Sequence, residues 1–238
     1  MILLALATQS PAQAADADVA IVFAVDASAS IDRATAELQR EGHAAAICSP
    51  DVVAAISRNR VGCIAVTYVE WASPGQMRSV VPWSRICRMA DAVAVASVIS
   101  EQGHRGYGCH TYCGTSISYA IDVGRGLLDG YEGMASKIID ISANGSNNDG
   151  PPVQSSRQRA IASGYTINAI VLPPLSRGET NLSRYFREHV IGGTGSFVIE
   201  PTRREDYAIA LRRKLVAEIS QSYSLRRDAS FTTVSPDR

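Results

Sequence analysis

The stretch "VFAVDASAS", residues 22–30, decides how the rest of the chain is read. It closes a run that is apolar at every position from Val19 to Val25 and rich in valine and isoleucine. A half-buried strand would alternate apolar with polar residues. Continuous apolarity is expected instead of a parallel strand covered on both faces. The run then breaks into Asp26, Ser28 and Ser30, at positions i, i+2 and i+4. Ligands of open parallel α/β sheets bind at the carboxyl ends of the strands. Three oxygen-bearing side chains there, one carboxylate and two hydroxyls, form a hard-oxygen set suited to Mg²⁺, Mn²⁺ or Ca²⁺ and poor for zinc. The competing explanation is local: a serine caps the next helix while Asp26 accepts backbone N–H groups.

Downstream, strand-like and helix-like segments alternate. Helical patterns cover residues 34–47, 90–100, 116–128, 154–163 and 205–220, with a short one at 184–190. Strand patterns cover 61–69, 137–142, 166–172 and the segment "GSFVIE", while 77–81 reads as an edge hairpin partner across "ASPG". Such alternation implies βαβ units. The expected fold is α/β, a three-layer, doubly wound and mostly parallel sheet, with helices on both faces and one antiparallel edge strand. One domain is expected over residues 18–220, followed by a polar, disordered tail at 221–238.

The N-terminus, "MILLALATQSPAQAADAD", runs from a short apolar stretch to Ala12-Gln13-Ala14, an A-x-A cleavage pattern. Residues 1–14 are therefore read as a signal peptide and the protein as periplasmic or secreted. No later segment reaches the roughly 18 apolar residues of a membrane span. Of the five cysteines, Cys109 and Cys113 are the disulfide candidates, whereas Cys63, inside "VGCIAV", reads as a small buried hydrophobe. With 23 basic and 23 acidic residues, interspersed, the chain gives no reason to expect nucleic acid as a partner.

"DASAS" has the form D-x-S-x-S and resembles the first part of the metal-ion-dependent adhesion site of von Willebrand factor A domains. That resemblance implies a doubly wound α/β fold whose site takes a threonine from a second loop and usually an aspartate from a third. The metal's open position then accepts an acidic group from a protein partner. "YCGTSISYAI" places Thr115 at the start of a helix, with Gly114 and Ser116 beside it as binding positions. After the strand "KIIDIS", the family's S-x-D-G or G-D-G reads "SANG" here, so Asn144 stands at the expected acid. A neutral carbonyl at that position weakens or abolishes metal binding. Further segments ("AVTYVEWA", "VVPW", "GTSIS", "VIGGTGSFV") are similar to a bacterial family of exported, von Willebrand A-like proteins of unknown function.

The implied function is a non-enzymatic, metal-dependent protein-binding module. The alternatives are a hydrolase using an Asp26-held metal, and a degenerate domain binding partners without metal. The chain lacks a G-x-S-x-G elbow and a phosphate loop, and Asp140, the acid considered as a base, sits within a strand. "CHTYC", with Cys109, His110 and Cys113, lacks a second ligand pair for zinc. His43 and His104 read as surface histidines, and Trp71 and Trp83 as covers for the sheet edge.

Overall fold

The computed structural model describes residues 16–106, 113–172 and 182–231, with backbone alone from 222. Six strands form one sheet: β1 (Val19–Asp26), β2 (Ile64–Trp71), β3 (Met77–Ile86), β4 (Ser136–Ala143), β5 (Thr166–Val171) and β6 (Val198–Ile199). Their spatial order is β3-β2-β1-β4-β5-β6. Every neighbouring pair is parallel except β2 and β3, which form the antiparallel edge hairpin. All eight residues of β1 are buried, because strands flank it on both sides and helices cover both faces.

The described residues form seven α-helices, six between strands and one after the last: α1 (Arg33–Ile47), α2 (Pro50–Ser57), α3 (Met89–Gln102), α4 (Ile117–Asp129), α5 (Val153–Ala162), α6 (Leu182–Tyr185) and α7 (Tyr207–Phe231). The two core layers follow the pleat. Val19, Ile21, Phe23 and Val25 face the side of α1, α2, α3 and α7. Ala20, Val22 and Ala24 face α4 and α5, and the smaller residues let those helices approach. At Gly124 of α4, a Cβ would lie 2.9 Å from Ile139 Cγ2 of β4, so only glycine permits that packing. The three-layer α/β architecture expected from the sequence is the one observed.

Four details differ from expectation. Helix α2 was not foreseen; Ser49 caps it by accepting from Val52 N, with Pro50 in the first turn. Helix α7 continues past residue 220 to Phe231, into the stretch expected to be a disordered tail. No glycine or proline lies between Gln221 and Phe231 to stop it. Cys63 is not a lone hydrophobe but is bonded to Cys87, at a Cα–Cα separation of 4.2 Å. The β2–β3 hairpin brings these two together, a pairing that spacing alone does not reveal. His43, finally, is fully buried in α1: its ring meets Phe23 and Tyr68 edge-on, at 5.5 and 5.2 Å between centroids, and Nδ1 bonds Gln39 O. Trp71 is also buried, and Trp83 packs on Tyr131.

Candidate metal centre at the sheet's carboxyl rim

The sheet order reverses at β1: the chain leaves it toward β2 on one side and returns through β4 on the other. That reversal opens a crevice outside the carboxyl ends of β1 and β4, the place where ligands of doubly wound sheets bind. Asp26 is the last residue of β1, and Asn144 follows the last residue of β4.

The loop after β1 turns sharply, with Ile31 N donating to Ser28 O. Capping of α1 falls to Asp32, whose carboxylate accepts from Thr35 N at 2.7 Å. Neither serine is used for it, so the local explanation of Ser28 and Ser30 does not apply. Their hydroxyls instead join a chain of oxygens drawn from three loops. Thr115 Oγ1 donates to Ser28 Oγ (3.1 Å), which lies 3.2 Å from Ser30 Oγ. Ser30 Oγ donates to Asn144 Oδ1 (2.9 Å), and Asn144 Nδ2 donates back to Ser30 O (3.3 Å).

Asp26 lies beneath this chain and is fully buried. Its Oδ1 accepts from Ser28 N at 2.8 Å, while Oδ2 has no partner among the described residues. Burial pushes its carboxyl up to about 6, against the lowering effect of the hydrogen bond from Ser28 N. A buried carboxylate oxygen without a donor is costly. A cation held between Asp26, Ser28, Ser30, Thr115 and Asn144 would remove that cost, and the donor set, all oxygen, fits a hard divalent ion. Among the described residues no cluster of three or more His, Cys, Asp or Glu offers another metal centre.

Other expected positions fare differently. Gly114 is placed by its backbone, with N–H to Ser73 Oγ at 2.9 Å; a Cβ there would come within 2.5 Å of Asp149 Cβ and 2.9 Å of Asn148 Oδ1. Ser116 is buried away from the oxygen chain, and its hydroxyl pairs with Ser118 at 3.3 Å. Cys109 and His110 lie outside the described residues; Cys113 is disulfide-bonded. Asp140 is buried in β4 with an ion pair to Lys214 of α7 at 2.6 Å, which occupies it structurally.

Three positioning residues escaped the sequence reading. Gln39 of α1 donates to Asp26 O (3.0 Å) and accepts from Ser142 Oγ (2.8 Å), which also meets Tyr207 OH at 2.7 Å. The end of β1 is thereby fastened to the end of β4 and to α7. Asn148 accepts from Thr115 N (2.7 Å), and Asn147 accepts from Ser118 N (3.1 Å). The loop after β4 thus supplies the cap that α4 lacks from its own side chains. The sequence carries no signal for this: Ser116 stands at the N-cap position with a hydroxyl of its own, and only the fold turns that hydroxyl to Ser118 instead.

This architecture, with a D-x-S-x-S turn at the switch point, is that of a von Willebrand factor A fold. Solved structures are similar in fold: the von Willebrand factor type A protein from Catenulispora acidiphila (13% identity, TM-score 0.58, covering 86% of this chain and 43% of that one). The pilus adhesin SpaC from Lactobacillus rhamnosus GG matches at 13% identity and TM-score 0.62, over 87% and 31%. Proximal thread matrix protein 1 from the mussel byssus, in a structure with a zinc-occupied metal-ion-dependent adhesion motif, matches at 17% and 0.61, over 88% and 49%. The chain spans less than half the length of each of these structures. The chain belongs to the family described as Protein of unknown function (DUF1194), whose model matches residues 16–223. Comparison with curated protein sequences finds no match.

Proposed function

We propose that this protein is an exported, cation-dependent protein-binding module whose site is the rim crevice between β1 and β4. The observation that carries the reading is the buried Asp26 Oδ2, unpartnered among the described residues, beneath oxygens contributed by three separate loops. Asp26, Ser28, Ser30, Thr115 and Asn144 would hold Mg²⁺, or Mn²⁺ or Ca²⁺. When bound, the ion offers an open coordination position for a carboxylate of the partner. Asp26 supplies the only formal charge of this set, so affinity is modest. Gln39 and Asn148 hold the strand end and Thr115 in place.

Export is supported by the A-x-A pattern at residues 12–14 and by the Cys63–Cys87 bond, since disulfides persist in oxidising compartments. No helix among the described residues is long and apolar enough to cross a membrane. That a pilus adhesin and a byssal matrix protein share the fold supports a binding role outside the cell. Calorimetric titration of Mg²⁺, Mn²⁺, Ca²⁺ and Zn²⁺ into the protein, beside Asp26→Ala, tests the site. Heat of binding that vanishes in the variant is expected; the same trace from both proteins would sink the proposal.

A further inference from the structure

Beside the crevice, a groove of about 750 Å³ runs from Ala27 and Cys113, which flank the oxygen chain, across the end of β2 to the β3 edge and the end of α3. Its polar groups are unbalanced. The acid lining it among the described residues is Glu70, which is buried and already spent. One Glu70 oxygen accepts from His104 N, and the other takes both Nε and Nη2 of Arg78 at 3.1 and 2.6 Å.

Donors, by contrast, are left over. Arg78 also gives Nη2 to Gln102 O (2.8 Å), which leaves its Nη1 without a protein partner among the described residues, on a side chain 54% exposed. Arg105 is held by Nη2 against the final carbonyls of α3, Ser100 O and Glu101 O, with no partner for Nε and Nη1 among the described residues. Trp71, almost wholly buried at the groove, has its indole Nε1–H unpartnered among the described residues. Two guanidinium groups fixed by backbone carbonyls and facing one neutralised acid make a donor-rich, acceptor-poor surface. Fixed guanidinium groups lose little entropy on meeting a carboxylate and can bind it with two parallel hydrogen bonds.

We propose that this groove receives an acidic peptide segment of a protein partner, with one carboxylate at the rim crevice and a second against Arg78 and Arg105. The proposal rests on the cation-site reading for its first anchor only. The register of the sheet sets the spacing. Asp26 pairs Trp71, which pairs Met77, the residue before Arg78. Two strand spacings amount to about 10 Å, or roughly three residues of an extended chain. The segment therefore carries two acids about three positions apart.

The test uses the whole protein in Mg²⁺, labelled with ¹⁵N and titrated by NMR. Three blocked peptides serve as probes, Gly-Ser-Asp-Gly-Gly-Glu-Ser-Gly and its forms with Glu→Gln, and with both Asp→Asn and Glu→Gln. The doubly acidic peptide should bind about tenfold more tightly than the singly acidic one and should shift the Trp71 indole N–H signal while leaving that of Trp83. In Arg105→Gln, an exposed substitution, that tenfold preference should disappear while the calorimetric Mg²⁺ affinity stays unchanged. Equal, Mg²⁺-dependent affinities for the singly and doubly acidic peptides would overturn the groove and leave the cation site standing. Peptide affinities that are unchanged in EDTA, with the tenfold preference kept, would uphold the groove and remove the cation site. No shift with any peptide up to millimolar concentration overturns both. A Trp71 shift produced by oligogalacturonate but by none of the peptides would overturn the peptide assignment and give the surface to acidic polysaccharide.

Discussion

Replacing Asn144 by aspartate should move stability and cation affinity in opposite directions. In the protein without cation, Asn144 Oδ1 accepts from Ser30 and the side chain is half-buried, close to the buried Asp26 carboxyl. A second carboxylate about 5 Å from the first repels it by roughly 3 kcal/mol at an effective dielectric near 20. Partial exposure screens this to about 1–2 kcal/mol. For some 200 ordered residues, at 2–4 °C per kcal/mol, the melting temperature of Asn144→Asp falls by about 2–8 °C in EDTA. With cation the sign turns. An added full charge beside a divalent ion offsets its own desolvation and leaves at least a tenfold gain in affinity, or about 1.4 kcal/mol. Through linkage, that gain appears as extra thermal stability at equal cation concentration. Differential scanning fluorimetry of both proteins, in EDTA and in 10 mM Mg²⁺, reads out both effects, and calorimetry gives the affinities. The Mg²⁺-induced rise should be larger in the variant by several degrees. If the two proteins show the same rise, or the variant loses no stability in EDTA, Asn144 does not face the cation and the assignment of the third loop is wrong.

Three further predictions concern the scaffold. Burial holds the His43 imidazole down to about 4, below its ordinary 6.5, so the folded protein keeps it neutral where the unfolded chain takes up a proton. Stability from this group is complete above pH 6.5 and is lost as pH falls from 6.5 to 4, by about 3 kcal/mol in all; urea titrations across that range should show a shallower loss in His43→Gln. Removing the Cys63–Cys87 bond, which closes a separation of 24 residues, with the double substitution Cys63→Ala and Cys87→Ala should cost about 3–4 kcal/mol by chain entropy, and a urea midpoint equal to that of the unaltered protein would contradict this. Lys214 is buried between Asp140 and Glu218, so Lys214→Met leaves two acids uncompensated and should cost about 3–5 kcal/mol, or roughly 10 °C in melting temperature; an unchanged melting curve would show that the acids are held by something else.

The apolar run of β1 and the alternation after it were enough to specify a doubly wound sheet, because continuous burial and strand-helix periodicity are local properties of the chain. Asp26, Ser28 and Ser30 were legible for the same reason: their spacing lies within one turn. Thr115 and Asn144 were placed by resemblance, and the three-dimensional arrangement brings their oxygens to those serines. The cysteine pairing was not legible, because the β2–β3 hairpin sets the separation of Cys63 and Cys87. His43 read as a surface histidine, yet the core accepts it because its Nδ1 bonds the Gln39 carbonyl one turn earlier in α1; Gln39, which no pattern singled out, is satisfied by partners on β1 and β4.

What the sequence alone determined was the layer architecture and the chemistry available at the end of the first strand, both written in short-range pattern. Only the tertiary structure decided which oxygens meet, that the asparagine loop caps α4, that Ser116 turns inward, and that a donor-rich groove adjoins the crevice. The contacts that join the three loops link residues 29 to 114 positions apart, and such distances are fixed by sheet order and packing.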